Sequence, residues 1–188
     1  IMNFTETLRN ACCLSPESIS VLMENTERIV HPKHTVILSE GDRDTRTGFV
    51  ETGLIRCSVL RDGKPVTLRF ACEGEMIGTV PGFLPGGRSP ATLETLEETV
   101  LLYIPRTRME ALFAESVELA NWGRRLVEKQ LVECERYFTE YYWQDKKTQY
   151  LRLLGEYPDL LRRVPLKDLA SYLDVTPQSL SRIRSRIR

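Results

Sequence analysis

Apolar residues recur along this chain with two periods, and the places where the period changes divide it. After a helix start at Leu14-Ser15-Pro16-Glu17, Ile19, Leu22, Met23 and Ile29 follow at mostly helical steps. Residues 3–30 are therefore expected to form short amphipathic helices covering the domain that comes next. From residue 35 to residue 104 the period becomes that of strands broken by turns. Val36-Ile37-Leu38, Gly48-Phe49-Val50, residues 54–60 and residues 66–70 are separated by Glu40-Gly41-Asp42, Thr52-Gly53 and Asp62-Gly63. Asp62-Gly63 is a tight-hairpin signal, because such turns need positive φ. Ala91, Leu93 and Thr95 alternate with Thr92, Glu94 and Leu96, and residues 99–104 form a last β-rich run. Short, evenly spaced strands predict a small antiparallel barrel or jelly roll, a β-roll.

Residues 109–143 then return to a helical period. Leu119, Trp122, Leu126, Leu131, Cys134, Phe138 and Tyr141 make one broad apolar side, and Ala120, Gly123, Val127, Gln130 and Tyr137 a narrower stripe near a 3.5-residue repeat. Two apolar sides on one helix fit two partners, the chain's own barrel and a second copy, the alternative being a helix simply buried within a monomer. A further helix is expected over about residues 144–156, leading through Tyr157-Pro158-Asp159 to the last segment. That segment reads as a helix-turn-helix. Pro165 opens a first helix through Leu169 and Leu173, Asp174-Val175 makes the turn, and Thr176-Pro177 caps and starts a second. Leu169, Leu173, Val175, Leu180, Ile183 and Ile187 point inward, with Ala170 small where the helices cross. Gln178, Ser179, Arg182 and Arg186 are left outside, the residue types that read base edges in a major groove. A plain two-helix hairpin with a solvated basic face would need neither the Thr-Pro start nor the full apolar register. The fold class is thus α+β, with a β-roll domain at 1–112, a long dimerisation helix at 113–143 and a helix-turn-helix domain at 144–188.

Charge sharpens this picture. The 188 residues carry 26 basic and 26 acidic side chains, but residues 162–188 hold seven Lys or Arg against Asp168 and Asp174, a local +5 that leaves −5 elsewhere. A basic end on a neutral chain fits a face that meets phosphate. The apolar content of 41% is ordinary, no run is long enough to cross a bilayer, and no signal-peptide pattern opens the chain, so a cytoplasmic protein is expected, with Met2 rather than Ile1 its natural start. Cys12, Cys13, Cys57, Cys72 and Cys134 show no paired spacing and read as reduced thiols, not as a disulfide frame, zinc site or iron–sulfur site. His31 and His34 lie in a Pro-containing connector and read as a polar loop, not as haem or metal ligands. No metal, cofactor or catalytic set is expected, and so no enzyme.

The Glu40-Gly41-Asp42, Gly48-Phe49-Val50, Gly53-Leu54-Ile55-Arg56 and Gly74-Glu75-Met76-Ile77-Gly78 segments, a long helix and the closing helix-turn-helix together resemble the CRP/FNR family of bacterial transcription regulators. The resemblance covers nearly the whole chain, and residues 164–184 look like the branch common in Bacteroidetes. It implies a homodimer on the long helix, a near-palindromic double-stranded DNA operator, transmission of a signal from the roll through the long helix, and room for a contact with RNA polymerase. Members that bind cyclic AMP place a Glu on the ribose and an Arg-Ser on the cyclic phosphate. Here Thr79 follows Gly78, and Arg88-Ser89 falls one residue out of register. The roll is therefore expected to serve an unknown small-molecule effector other than cyclic AMP, around Gly78, Thr79, Arg88 and Ser89. Asp174 stands where the turn usually has Gly, and the wing that many relatives place after the second helix has no counterpart before Arg188. Lys167 and Thr176 are the expected phosphate contacts, Gln178, Ser179 and Arg182 the base contacts, and Arg186 either. The rival reading is a small-molecule-binding or protein-interaction module whose helix-turn-helix no longer binds DNA.

Overall fold

The computed structural model describes residues 14–78 and 87–187, apart from the side chains of residues 140–142. Helix α1 (Pro16–Glu24) starts where Pro16 and a Ser15 cap place it, the Ser15 hydroxyl accepting the Ser18 N–H at 3.2 Å. Its end is anchored from far along the chain, because the Glu118 carboxylate accepts the Ser15 N–H at 2.7 Å and the Ser15 hydroxyl at 2.8 Å. The helical pattern stops at Glu24. Ile29, expected in a helix, lies in strand β1 (Glu27–His31), paired with Leu101, where its β-branched side chain suits a pleated surface.

The remaining strands are β2 (Val36–Leu38), β3 (Arg46–Thr52), β4 (Ile55–Arg61), β5 (Lys64–Ala71), β6 (Met76–Ile77), β7 (Thr92–Thr95) and β8 (Thr99–Pro105). They form two antiparallel four-stranded sheets, ordered β1-β8-β3-β6 and β2-β7-β4-β5, closed face to face as the expected roll. The β4–β5 hairpin turns on Asp62 (φ 50°) and Gly63 (φ 71°), both left-handed. Strand β8 is buried from Thr99 to Ile104 because both faces are covered. Leu101 and Tyr103 join Val50, Ile55, Cys57, Ile77 and Leu93 inside the roll, while Leu102 and Ile104 join Phe49 in a second core under the helices.

That second core is closed by α2 (Arg106–Glu115) and α3 (Val117–Trp143). A single helix over 109–143 is not what forms. Ser116 takes an extended conformation, and its hydroxyl accepts the Leu119 N–H at 3.3 Å, so the helix ends and restarts there. The two helices then cross closely: a Cβ at Gly123 would lie 2.6 Å from the Phe113 ring. The two stripes expected along α3 are also sorted differently. Leu119 and Trp122 are buried and Leu126 partly buried against the roll, while Gln130 accepts a hydrogen bond from Arg69 of β5 at 3.0 Å. The exposed row is Val127, Leu131, Cys134 and Phe138, drawn from both expected stripes.

After α3, Asp145 caps α4 (Lys146–Glu156) by accepting the Thr148 N–H at 2.8 Å. A short helix α5 (Pro158–Arg163) follows where only a connector was expected, started by Pro158 at its first position. Helices α6 (Leu166–Tyr172) and α7 (Pro177–Ser185) complete the chain. All four share one core with the roll: Leu54 and Leu96 sit among Tyr150, Leu153, Leu161, Val164, Leu169, Ala170, Leu173 and Leu180.

Two arginines fasten this junction. Arg163 donates to the Gly53 carbonyl at 2.7 Å, to both Glu73 oxygens at 2.9 Å, and to Glu97 at 3.1 Å. Gly53 adopts φ 111°, and a Cβ there would come within 2.4 Å of Thr99 Oγ1, so only glycine lets the strand turn under the guanidinium. Arg56 of β4 donates to Glu94 at 2.8 Å and to Asp168 of α6, whose side chain is only 4% exposed. The Thr67 N–H, on the edge strand β5, donates to the Ser171 hydroxyl at 2.9 Å, and the Tyr172 ring lies between Phe70 of the roll and Tyr137 of α3.

Trp122→Ala removes the largest fully buried side chain and should cost about 3–5 kcal/mol in denaturant unfolding; a loss under about 1 kcal/mol would show that this core is not close-packed. Arg163→Met should leave exchange of roll amides unchanged and speed hydrogen exchange in α6, because Glu73 and Glu97 lose their partner. Acid should do the same. Burial pushes the Glu73 carboxyl up, but hydrogen bonds from Arg163 and the Gly53 N–H outweigh it and hold its pKa below the usual 4.5. Its contribution is thus complete above that value and lost as pH falls below it, where exchange in α6 should rise.

Candidate DNA interface and the cavity of the roll

The turn between α6 and α7 is built from backbone bonds that force its shape. The Asp174 N–H donates to Ser171 O at 3.1 Å and the Val175 N–H to Ala170 O at 2.9 Å, with Asp174 at φ 53°. Aspartate visits this left-handed region more readily than most residues, so it fills a position that usually takes glycine. Thr176 then caps α7, accepting the Ser179 N–H at 3.1 Å while donating to the Ser179 hydroxyl at 3.0 Å. Leu180 is fully buried and Ile183 and Ile187 pack beside it, which fixes the opposite face of α7 outward.

On that outer face the structure brings most of the expected residues together. Gln178 and Arg182 are exposed on α7, Arg186 is exposed at its C-cap, Thr176 is exposed at its start, and Lys167 is exposed on α6. Ser179 is half-buried and its hydroxyl already receives one bond from Thr176. Two basic residues of the tail do other work: Arg163 is held by the roll, and the Arg184 guanidinium lies 5.6 Å from the Tyr150 ring centroid. Arg162 is a further exposed cation, paired with Asp159 at 3.1 Å. Asp168, the one acidic residue of α6, is turned away onto Arg56. The outer surface thus keeps Arg162, Lys167, Arg182 and Arg186, with Asp174 exposed at the turn.

The expected effector residues separate. Gly78 lines a cavity of about 380 Å³ that opens between the two sheets, and Thr79 lies outside the described residues. Arg88 and Ser89 are spent on the loop that follows β2. Arg88 donates to Gly41 O at 2.7 Å, the Ser89 backbone pairs with Gly41 and Asp42, and its buried hydroxyl donates to Ala91 O. The cavity is lined by residues the sequence did not single out: Ile37, Leu38, Ile77 and Leu93 on apolar walls, and Asp42, Asp44, Arg43, Arg46 and Tyr103 on polar ones. Burial pushes the Asp44 carboxyl up against the pull of Arg46, and burial likewise raises Tyr103 to about 12. His31 ends strand β1 and meets the Tyr103 hydroxyl at 3.2 Å; burial, then Arg46, lowers its pKa. Among the described residues no three His, Cys, Asp or Glu side chains could hold a metal, and Cys12 and Cys13 lie outside them. No described helix is long and apolar enough to cross a membrane.

The sequence of residues 28–116 matches the cyclic nucleotide-binding domain family. No curated protein matches the chain. Among solved structures, FixK2 from Bradyrhizobium japonicum superposes with a TM-score of 0.74 at 20% identity, over 86% of this chain and 84% of that one. CLP of Xanthomonas campestris, described as a c-di-GMP-responsive global regulator, gives 0.74 at 17% identity, over 92% and 91%. The catabolite activator protein of Thermus thermophilus gives 0.61 at 21% identity, over 96% and 85%. Residues 28–116 thus match the cyclic nucleotide-binding domain family, and the chain as a whole shares the fold of these solved CRP/FNR-type structures.

Proposed function

We propose that this protein is a homodimeric, sequence-specific DNA-binding transcription regulator whose roll senses a small molecule other than cyclic AMP. The observation that carries the reading is the outer face of α7. A capped helix, locked by Leu180, holds the side chains of Gln178 and Arg182, and of Arg186 just past its end, exposed, with Lys167 and Thr176 beside them for phosphates. Gln pairs with adenine and Arg with guanine in the major groove, and the flanking cation and hydroxyl position without reading. Dimerisation is supported by α3. Val127, Leu131, Cys134 and Phe138 recur at four- and three-residue steps, and Val127, Leu131 and Phe138 are 54%, 58% and 60% exposed, the seam of a parallel coiled coil without its partner. Two recognition helices on that axis would read half-sites about one helical turn apart, giving a near-palindromic operator. Against cyclic AMP stand Thr79, where a ribose-binding Glu is expected, and the engagement of Arg88 and Ser89 with the roll's own backbone.

Selection from random duplex DNA at two salt concentrations should enrich one palindrome; binding without enrichment, or no binding, would remove the regulator reading. On that palindrome, Arg182→Ala should lose roughly 1–3 kcal/mol at one base position, whereas Lys167→Ala should weaken all sequences alike and reduce the salt slope by about one. Leu131→Lys should convert the dimer to monomer in sedimentation and abolish the preference for paired over single half-sites. An unchanged dimer would place the two-fold elsewhere.

A further inference from the structure

The cavity of the roll carries more than the statement that a ligand binds there. Its volume of about 380 Å³ is near the lower end for small-molecule sites, about 300–1,000 Å³, which suits a compact metabolite. One wall is aliphatic: Ile37 and Leu38 from β2, Leu93 from β7 and Ile77 from β6. The other carries two carboxylates and two guanidiniums, Asp42, Asp44, Arg43 and Arg46, and no two of these four form an ion pair. Arg46 lies over the Tyr103 ring, 4.0 Å from its centroid, and its guanidinium N–H groups meet no acceptor among the described residues. The ring is itself fixed, by the His31 contact to its hydroxyl and by Gly48, where a Cβ would strike Ile77 at 2.6 Å and Tyr103 at 3.1 Å. A guanidinium held flat with its donors unspent is preorganised for a carboxylate. Asp44, half-buried, accepts the Arg46 backbone N–H at 3.3 Å and feels the charges of Arg46 and Arg106, but forms no ion pair with either among the described residues. Its carboxyl is pushed up by burial, the condition that an arriving ammonium would relieve.

Charge balance selects among ligands. A simple anion would engage Arg46 but give the Asp44 carboxylate no direct donor, and a simple amine would engage Asp44 but leave the Arg46 donors unspent. We infer that the cavity binds a zwitterion with an apolar tail, an aliphatic or aromatic α-amino acid, its carboxylate on Arg46, its ammonium on Asp44 and its side chain against Ile37, Leu38, Ile77 and Leu93. This rests on the reading of the roll as a sensor and names the chemical class it senses.

The test is calorimetric titration of the full chain, without DNA, with L-leucine and L-phenylalanine, and with leucinol and 4-methylpentanoate, which lack the carboxylate and the ammonium respectively. Saturable binding of at least one amino acid, with at least tenfold weaker binding of both analogues, is the expected result. Arg46→Met and Asp44→Asn should each weaken the amino acid at least tenfold while leaving the ligand-free melting curve in place; if either variant melts early, Arg46→Lys and Asp44→Glu replace them. No saturation up to about 10 mM, equal binding of 4-methylpentanoate, or full binding by the variants would each overturn the assignment. Operator binding is measured separately with and without the amino acid. A palindrome bound by a chain that ignores amino acids sinks this inference and leaves the regulator standing, and an amino acid bound by a chain that selects no DNA does the opposite.

Discussion

The fastening of the helix-turn-helix to the roll is the constraint on which the remaining geometry depends. Leu54 and Leu96 belong to the same core as Leu169, Leu173 and Leu180, so the end that would read DNA does not possess a complete core of its own. Arg163 and Arg56 stitch the polar perimeter of that core to Glu73, Glu97, Glu94 and Asp168. Partly buried pairs of this kind contribute little net stability against well-packed apolar groups, but removing one member leaves a charge without a partner. Their role is therefore one of register: they specify where α6 sits on β4 and β5, and α7 follows because Ala170 and Leu180 tie it to α6.

The same sorting explains how a neutral protein presents a cationic face. The acidic residues nearest the tail are drawn inward as partners for Arg56 and Arg163, and Arg184 is drawn onto Tyr150. What is left outward is Gln178, Arg182, Arg186 and Lys167, with Asp174 exposed at the turn but no carboxylate on α7 itself. Electrostatics thus segregates by structure, not by composition.

Much of this was legible because it is local. Asp62-Gly63, Ser15-Pro16 and Thr176-Pro177 determine their turns and caps through neighbouring backbone, and each does so where the sequence places it. The failures share a cause. Ser116 splits a helix with one residue whose hydroxyl competes for the backbone, a signal too small to outweigh the surrounding period. On α3 the apolar side divides along its length: the first part packs on the roll, the later part is an exposed row at four- and three-residue steps, and a straight helix drifts about 20° per heptad from a 3.5-residue repeat. Arg163 and Asp168 find partners 66 to 112 positions away, beyond any pattern in their own segment, although a carboxylate on the inner side of α6 was a readable anomaly. The cavity's Arg46 and Tyr103 come from different strands and meet only once the sheet closes.

Strand β5 is the outer strand of its sheet, and α6 covers part of its free edge through Ser171. Were the helix-turn-helix to swing clear of the roll, it would uncover a row of hydrogen-bonding groups flanked by the exposed Leu60 and Leu68. Bare apolar edges recruit other strands. Two charges near the hairpin tip, Arg61 and Lys64, blunt only its far end. The docked helices therefore double as a guard against self-association, which ties that edge's exposure to how seldom α6 lets go of it.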